Sequence, residues 1–175
     1  MGADIIHSGH LNIINIAKKY GKITIGLFTD SAIAEYKSLP LIDYKQRFEI
    51  MNNIKGIDKI VKQENWDYSK NLSKIKPNYL IHGDDWKVGI QKKTREKVIK
   101  QLKKWNGKLI EVAYTKHPDI VQRKKSVKNL FLNSESRVSR LKRLIDSKNI
   151  VRFIECHNPI TGLMIENLKI NHKNK

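Results

Sequence analysis

Two histidines three positions apart, His7 and His10, enclose Ser8 and Gly9 where an apolar-periodic run begins. At the start of a helix, residues at this spacing project to one side. Gly9 has no side chain to hold a phosphate away from the main chain. The first N–H groups of a helix lack internal partners and carry the positive end of its dipole. These features suit a nucleoside triphosphate attacked at its α-phosphorus, where a protein chiefly positions groups and neutralises spreading charge. H-x-G-H is also short enough to arise by chance, so two packing histidines are the competing reading. No other His/Cys cluster lies at ligand spacing, which argues against zinc.

Three further segments carry usable chemistry. Glu35-Tyr36-Lys37 follows an apolar strand, at the carboxyl edge where open α/β sheets bind ligands. Lys37 there could hold a phosphate or phosphonate oxygen, or simply be a solvated lysine. Arg47, within Gln46-Arg47-Phe48-Glu49, could bind an anion or pair with a carboxylate. His82-Gly83-Asp84-Asp85-Trp86 follows another apolar strand. Its glycine and carboxylates could orient a ribose, an amine or Mg²⁺, and Trp86 could cover a base or an alkylammonium group. The bland alternative is a capped turn with a packing tryptophan.

The elements that must position these groups alternate. Leu11–Tyr20 is expected to be helical, with Leu11, Ile14, Ile13 and Ala17 as its apolar positions and Gly21 as its stop. Ile23–Phe28 is β-rich. Asp30 or Ser31 is expected to cap a helix through Tyr36. Asp43–Ile54 is a second helix, with Phe48, Met51 and Ile50 inward. Asp58–Lys62 reads as a strand, Ser69–Ile75 as a helix, Asn78–His82 as a strand, Gly89–Trp105 as a long basic helix and Leu109–Tyr114 as a strand. This order predicts a parallel, Rossmann-like α/β sheet with flanking helices. Only Met1, Gly2 and Ala3 precede Asp4, too few for a strand of about five residues. The sheet is therefore expected to lack its first strand. Beyond Thr115 the texture becomes polar. Residues 116–133 read as a linker, Ser136–Ser147 as a basic helix with Val138, Leu141, Leu144 and Ile145 on one face, and Ile150–Ile154 as a strand. A short amphipathic stretch follows Pro159.

Composition narrows the classes. The chain has 175 residues, 35 basic against 17 acidic, and a formal net charge of +18. Such charge invites a nucleic-acid reading. However, 28 of the basic residues are Lys and 7 are Arg, whereas base reading favours Arg. The charge is also spread evenly, at +9 before residue 116 and +9 after it (21 − 12 and 14 − 5). Nucleic acid is accordingly not the expected partner. A single cysteine, Cys156, excludes an internal disulfide framework. No apolar run approaches the ~20 residues that span a bilayer, and Met1-Gly2-Ala3-Asp4 does not open a secretory signal. A cytoplasmic protein is expected.

The segments together carry a resemblance. "ADIIHSGHLNII", "GLFTDSAIAEYK", "LPLIDYKQRFEIMNNIKGID", "PNYLIHGDDWKVGIQKKTREKVI" and "LIEVAYTK" resemble the cytidylyltransferase-type nucleotidyltransferases marked by H-x-G-H. Within these, they are similar to the 2-aminoethylphosphonate cytidylyltransferase domain that is commonly fused to phosphoenolpyruvate mutase. "RLKRLIDSKNIVRFIECHNPITGLMIENLKI" is similar to the opening of that mutase. The resemblance implies a nucleotidyltransferase domain over 1–115 and a truncated mutase-like barrel start over 134–175. It implies Mg²⁺-dependent transfer of CMP from CTP to a small phosphonate or phosphate monoester, with release of pyrophosphate. His7, His10 and Lys37 would be catalytic. Ala3, Asp4, Ser8, Gly9, His82, Gly83, Asp84 and Thr115 would bind the nucleotide, with Asp84 also holding the metal. Tyr36, Arg47, Asp85 and Trp86 would bind the acceptor. A homodimer is a further implication.

Two departures from that family stand out. A first strand before Ala3-Asp4 is missing, and the family's glycine- and hydroxyl-rich segment is replaced by Lys116-His117-Pro118-Asp119. A truncated, weakly active remnant of a bifunctional phosphonate-biosynthesis protein is therefore the alternative, with a basic nucleic-acid-binding module ranking behind it. A class I aminoacyl-tRNA synthetase is set aside for want of a Lys-Met-Ser-Lys-Ser loop.

Overall fold

The structure is a computed structural model that describes residues 1–113, 134–148, 150–151 and 153–166. Its N-terminal part alternates strand and helix as expected, but the strands form two separate pairs. The first pair is β1 (Thr24–Phe28) with β2 (Lys59–Gln63), parallel, in register from Thr24 opposite Lys59 to Phe28 opposite Gln63. The second is β3 (Tyr79–Gly83) with β4 (Lys108–Val112), also parallel, from Tyr79 opposite Lys108 to Gly83 opposite Val112. No hydrogen-bonded ladder joins β1 to β3. The Rossmann-like α/β class holds, and the sheet expected to be whole but for its first strand is split in two.

Local chemistry sets each helix. α1 (Ser8–Ala17) begins at His7, whose extended backbone and ring nitrogen cap it. A single 3-10 turn continues it to Tyr20, and Gly21, at φ 122°, ends it where a side chain would be strained. α2 (Asp30–Tyr36) is capped by Thr29, one residue before the expected cap, through its hydroxyl to the Ala32 N–H. α3 (Tyr44–Asn52) is capped by Asp43, which accepts from the Gln46 N–H at 2.9 Å. Its buried face is Arg47 and Met51, whereas Ile50, expected inward, is exposed. α4 (Ser69–Ile75) ends on Lys76 in the left-handed region, at φ 47°, before Pro77. The long basic helix is α5 (Lys92–Leu102), with 3-10 turns at Gly89–Gln91 and Lys103–Trp105. Asn106 at φ 59° turns the chain toward β4. Gly107 then passes so close to Pro77 that a Cβ would lie 2.9 Å from its carbonyl oxygen.

Three clusters make the core. Ile14 of α1 packs with Ile23, Ile25, Leu27 and Met51. Phe28, Ala32 and Ile33 pack with Trp66 and Tyr68. Leu72, Trp86, Val98 and Leu102 pack with Leu80 and Leu109. Burying each large aliphatic side chain contributes about 1.5–3 kcal/mol. Strand alternation sends Ile25 and Leu27 to one face of β1 and Phe28 to the other, so both faces are covered by helices.

Of the C-terminal elements, α6 (Ser134–Ser147) packs on α2. The Arg143 guanidinium donates to the Leu41 carbonyl and to Asp30, each at 3.1 Å. Leu144 is half-buried, while Val138, Leu141 and Ile145 on the same apolar face are exposed. Of the expected strand at 150–154, the described residues carry no strand, and Arg152 lies outside them. α7 (Pro159–Glu166) follows. The linker read at 116–133 lies outside the described residues. No helix among the described residues is long and apolar enough to cross a membrane.

Candidate nucleotide-binding site

The H-x-G-H segment sits at the N-terminus of α1. The Gly9 N–H donates to His7 Nδ1 at 3.1 Å, and the His10 and Leu11 N–H groups donate to the His7 carbonyl. Accepting at Nδ1 fixes the neutral tautomer of His7: its proton sits on Nε2, as a donor. The two imidazole centroids are 4.0 Å apart and tilted by 48°. A Cβ on Gly9 would stand 3.0 Å from His7 Cε1 and Nδ1, so the glycine lets the ring lie against the turn.

Ala3, at φ 52°, is buried in a left-handed conformation that costs a non-glycine residue about 1–2 kcal/mol. That turn delivers Asp4, whose Oδ1 accepts from the N–H groups of Leu41 (2.7 Å) and Ile42 (3.1 Å). Asp4 thus latches the 41–42 loop against the start of the motif.

At the end of β3, His82 Nδ1 lies 2.8 Å from the Gly83 carbonyl. A carbonyl only accepts, so Nδ1 carries the proton and Nε2 presents a lone pair. Burial holds the His82 imidazole below its usual pKa, partly offset by the Gly83 carbonyl. Its ring stacks on Trp86 at 3.8 Å and 10°. Trp86 is fully buried, and its Nε1 donates to Glu111 at 2.8 Å. Glu111 also takes a two-pronged bond from Arg95, at 2.8 and 2.9 Å. These bonds, the Arg95 pair first, pull the Glu111 carboxyl down to about 2.

One cavity of about 860 Å³ brings many of the expected residues together: Ala3, Asp4, His7, Gly9, His10, Lys37, His82, Gly83 and Asp85 line it. A second, of about 760 Å³, shares Lys37, Trp66 and Asp85 with it and adds Glu35 and Asp67. Lys37 lies at the end of α2, exposed, with its ammonium 5.5 Å from the Trp66 ring centre. Ser8 and Asp84 are not among the lining residues. The Tyr36 side chain and Thr115 lie outside what is described.

Two expected acceptor-binding residues are differently placed. Arg47 is fully buried, and its guanidinium donates to the carbonyls of Ile42 (3.1 Å) and Gly2 (2.5 Å) and to Asp30 (2.6 Å). It has no surface for an anion, and it ties α3 to the N-terminal turn and to α2. Trp86 offers no face to a ligand, because its ring backs His82. Trp66, missed in the sequence, is the tryptophan at the cavities. It follows β2 at the ligand-binding edge, and that placement after an apolar strand was the available signal.

For a divalent cation, no group of three or more His, Cys, Asp or Glu ligands exists among the described residues. Mg²⁺ at phosphate sites takes one or two carboxylates plus substrate oxygens, so the Asp84-Asp85 pair suffices in donor type.

The chain is similar to known proteins in the same region. It is 33% identical over 94 residues to an FAD synthase of Methanobrevibacter smithii, an alignment covering 51% of this chain and 61% of that relative. It is 27% identical over 104 residues to an ethanolamine-phosphate cytidylyltransferase of Dictyostelium discoideum, covering 58% of this chain and 29% of that protein. The chain thus spans less than two thirds of either relative. A lipopolysaccharide core biosynthesis protein of Thermoplasma volcanium shares the fold, with a TM-score of 0.54 at 20% identity over 67% of this chain and 93% of that one. The cytidylyltransferase-like family model matches residues 3–120, more than half of the chain and all of the H-x-G-H site, and the protein belongs to that family.

Proposed function

We propose that the protein transfers CMP from CTP to the phosphonate or phosphate oxygen of a small acceptor, 2-aminoethylphosphonate being the preferred one, and releases pyrophosphate. The observation that carries this reading is the His7–Gly9 cap, which leaves the His7 Nε2–H and His10 beside the helix start in the same cavity as Lys37 and His82. An acceptor oxygen attacks the α-phosphorus, a P–O bond forms, and the bond to the departing pyrophosphate breaks. His7 donates from Nε2 to a phosphate oxygen, and α1 adds its N-terminal dipole. Lys37 neutralises the anionic acceptor. Its partner Trp66 and the carboxylates Glu35, Asp67 and Asp85 line the adjoining cavity, a setting for an ammonium group. Asp85, which lines both cavities, and the adjacent Asp84, which does not, would hold Mg²⁺ together with substrate oxygens; when bound, the ion would supply charge neutralisation for the triphosphate.

The phosphonate preference rests on the resemblance of residues 140–170 to phosphoenolpyruvate mutase. A second reading, adenylyl transfer to a flavin phosphate, is favoured by the FAD synthase relatives. A panel pairing CTP or ATP with 2-aminoethylphosphonate, phosphoethanolamine or FMN separates them. The first reading expects product only with CTP and an amine-bearing acceptor. Product from ATP and FMN alone would replace it with the second.

A further inference from the structure

We propose that Arg143, on the C-terminal helix α6, is a positioning residue for the transfer reaction: it holds the Leu41-Ile42 turn, and through it Lys37, at the wall of the nucleotide cavity. That role rests on the reading of Lys37 as the charge that meets the acceptor.

The turn lies in neither helix nor strand, so its backbone bonds must come from elsewhere. Side chains of three separate segments supply them. The N–H groups of Leu41 and Ile42 both donate to Asp4, just before H-x-G-H. The Ile42 carbonyl accepts from Arg47 Nε of α3, at 3.1 Å. The Leu41 carbonyl accepts from the Arg143 guanidinium of α6, also at 3.1 Å.

Arg47 does not duplicate Arg143. All three of its side-chain nitrogens are engaged, with Ile42, Gly2 and Asp30. On Asp30 it takes Oδ1 only, and Arg143 takes Oδ2 at 3.1 Å. Arg143 therefore bridges Asp30, the first residue of α2, and Leu41. One guanidinium pins both ends of the segment that carries Lys37. Exposed ion pairs contribute little, but the Asp30 side chain is only 17% exposed, and the planar fork of arginine reaches two acceptors at once.

The pinned segment leads to the site. Lys37, Ser38 and Leu41 line the 860 Å³ cavity together with Asp4, His7 and His10. Between them Leu39 and Pro40 are buried, and the proline ring fixes its own φ. A shift at Leu41 is thus passed on toward Lys37, with little slack to absorb it. Arg143 lines neither cavity, so it acts through the turn and not on the substrate. It also lies beyond residues 3–120, the region matched by the family model.

The test uses the full chain with Arg143→Met, Lys37→Met and both together. In Arg143→Met, amide exchange at Leu41 and Ile42 should quicken at least about tenfold, with Ile25 in the β1–β2 ladder unchanged. The kcat/KM for the acceptor should fall at least about tenfold, and the KM for CTP should hold. In the Lys37→Met background the same substitution should cost less than about threefold, because the group it positions is gone. If Arg143→Met does not fold, Arg143→Lys replaces it. That variant keeps a charge opposite Asp30 and gives up the fork, so the same two amides should still exchange faster. Unchanged exchange at Leu41 and Ile42 would overturn the proposal. So would equal kinetic losses with and without Lys37, the mark of a merely structural role. If no pairing of nucleotide and acceptor reacts, the functional reading falls instead. Exchange then decides alone: quickening at Leu41, Ile42 and Lys37 sustains the hold on the turn, and its absence ends it.

Discussion

His7 and His10 stand with ring centres 4.0 Å apart because the Gly9 N–H, donating to His7 Nδ1, draws the first imidazole back over the turn that carries the second. The cap bond and the histidine pair are one arrangement, and Gly9 is its hinge.

Gly9→Ala separates chemistry from stability. The new Cβ would stand 3.0 Å from the His7 ring, which must shift. Activity is expected to fall by about 10²-fold, since misplacement by ~1 Å costs that much. Alanine favours the helix by about 0.5–1 kcal/mol, so Tm should hold or rise. Kinetics and a thermal melt on one sample check both.

Arg47 is predicted to be structural. Arg47→Met should leave the carbonyls of Gly2 and Ile42 and the Asp30 carboxylate short of a donor. Removing one partner of a buried pair costs about 3–5 kcal/mol. Arg143 still holds Asp30, at 3.1 Å, which places the cost near the lower end. Denaturant unfolding measures it. A variant of wild-type stability with a raised KM for the acceptor would restore the anion-binding role.

Lys37→Met should do the opposite. Lys37 is exposed and touches the Trp66 face, so Tm should change little while turnover falls about 10²-fold or more, as for loss of one charge-stabilising donor. Steady-state kinetics with saturating CTP and varied acceptor separates kcat from KM.

Glu111 gives a pH signature. Its carboxyl is depressed to about 2 in the folded protein, chiefly by Arg95 and then Trp86, against 4.5 for the free group. A depressed carboxyl stabilises the fold fully above the unfolded value and loses that stabilisation as pH falls through the folded one. Stability should therefore decline between pH 4.5 and 2. Glu111→Gln should be less stable at neutral pH and have a shallower slope in that window. Melts at pH 7, 5, 4 and 3 test it.

The helical and strand order was legible because apolar periodicity and the capping residues are local. Asp43, Gly21 and the Ser69–Ile75 helix could be placed from a few neighbouring residues. The split of the sheet into two pairs could not be read locally, because it depends on how strands far apart in sequence meet. Arg47 misled because its partners, Gly2, Asp30 and Ile42, are brought to it only by the fold. From sequence, Trp86 could cover a base or an alkylammonium group or simply pack in a capped turn. Its ring turns inward to Glu111, which sits 25 residues downstream on the neighbouring strand. The histidine motif could be read directly, because its geometry is built within one helical turn.

The most direct measurement of the central claim is pyrophosphate release from CTP, Mg²⁺ and 2-aminoethylphosphonate, run in parallel on the protein and on His10→Ala. Release that requires both CTP and the acceptor, and falls at least about 10²-fold in the variant, is the predicted result. Release no greater than that of the variant, with either CTP or ATP and across the acceptor panel, would contradict nucleotidyl transfer at this site.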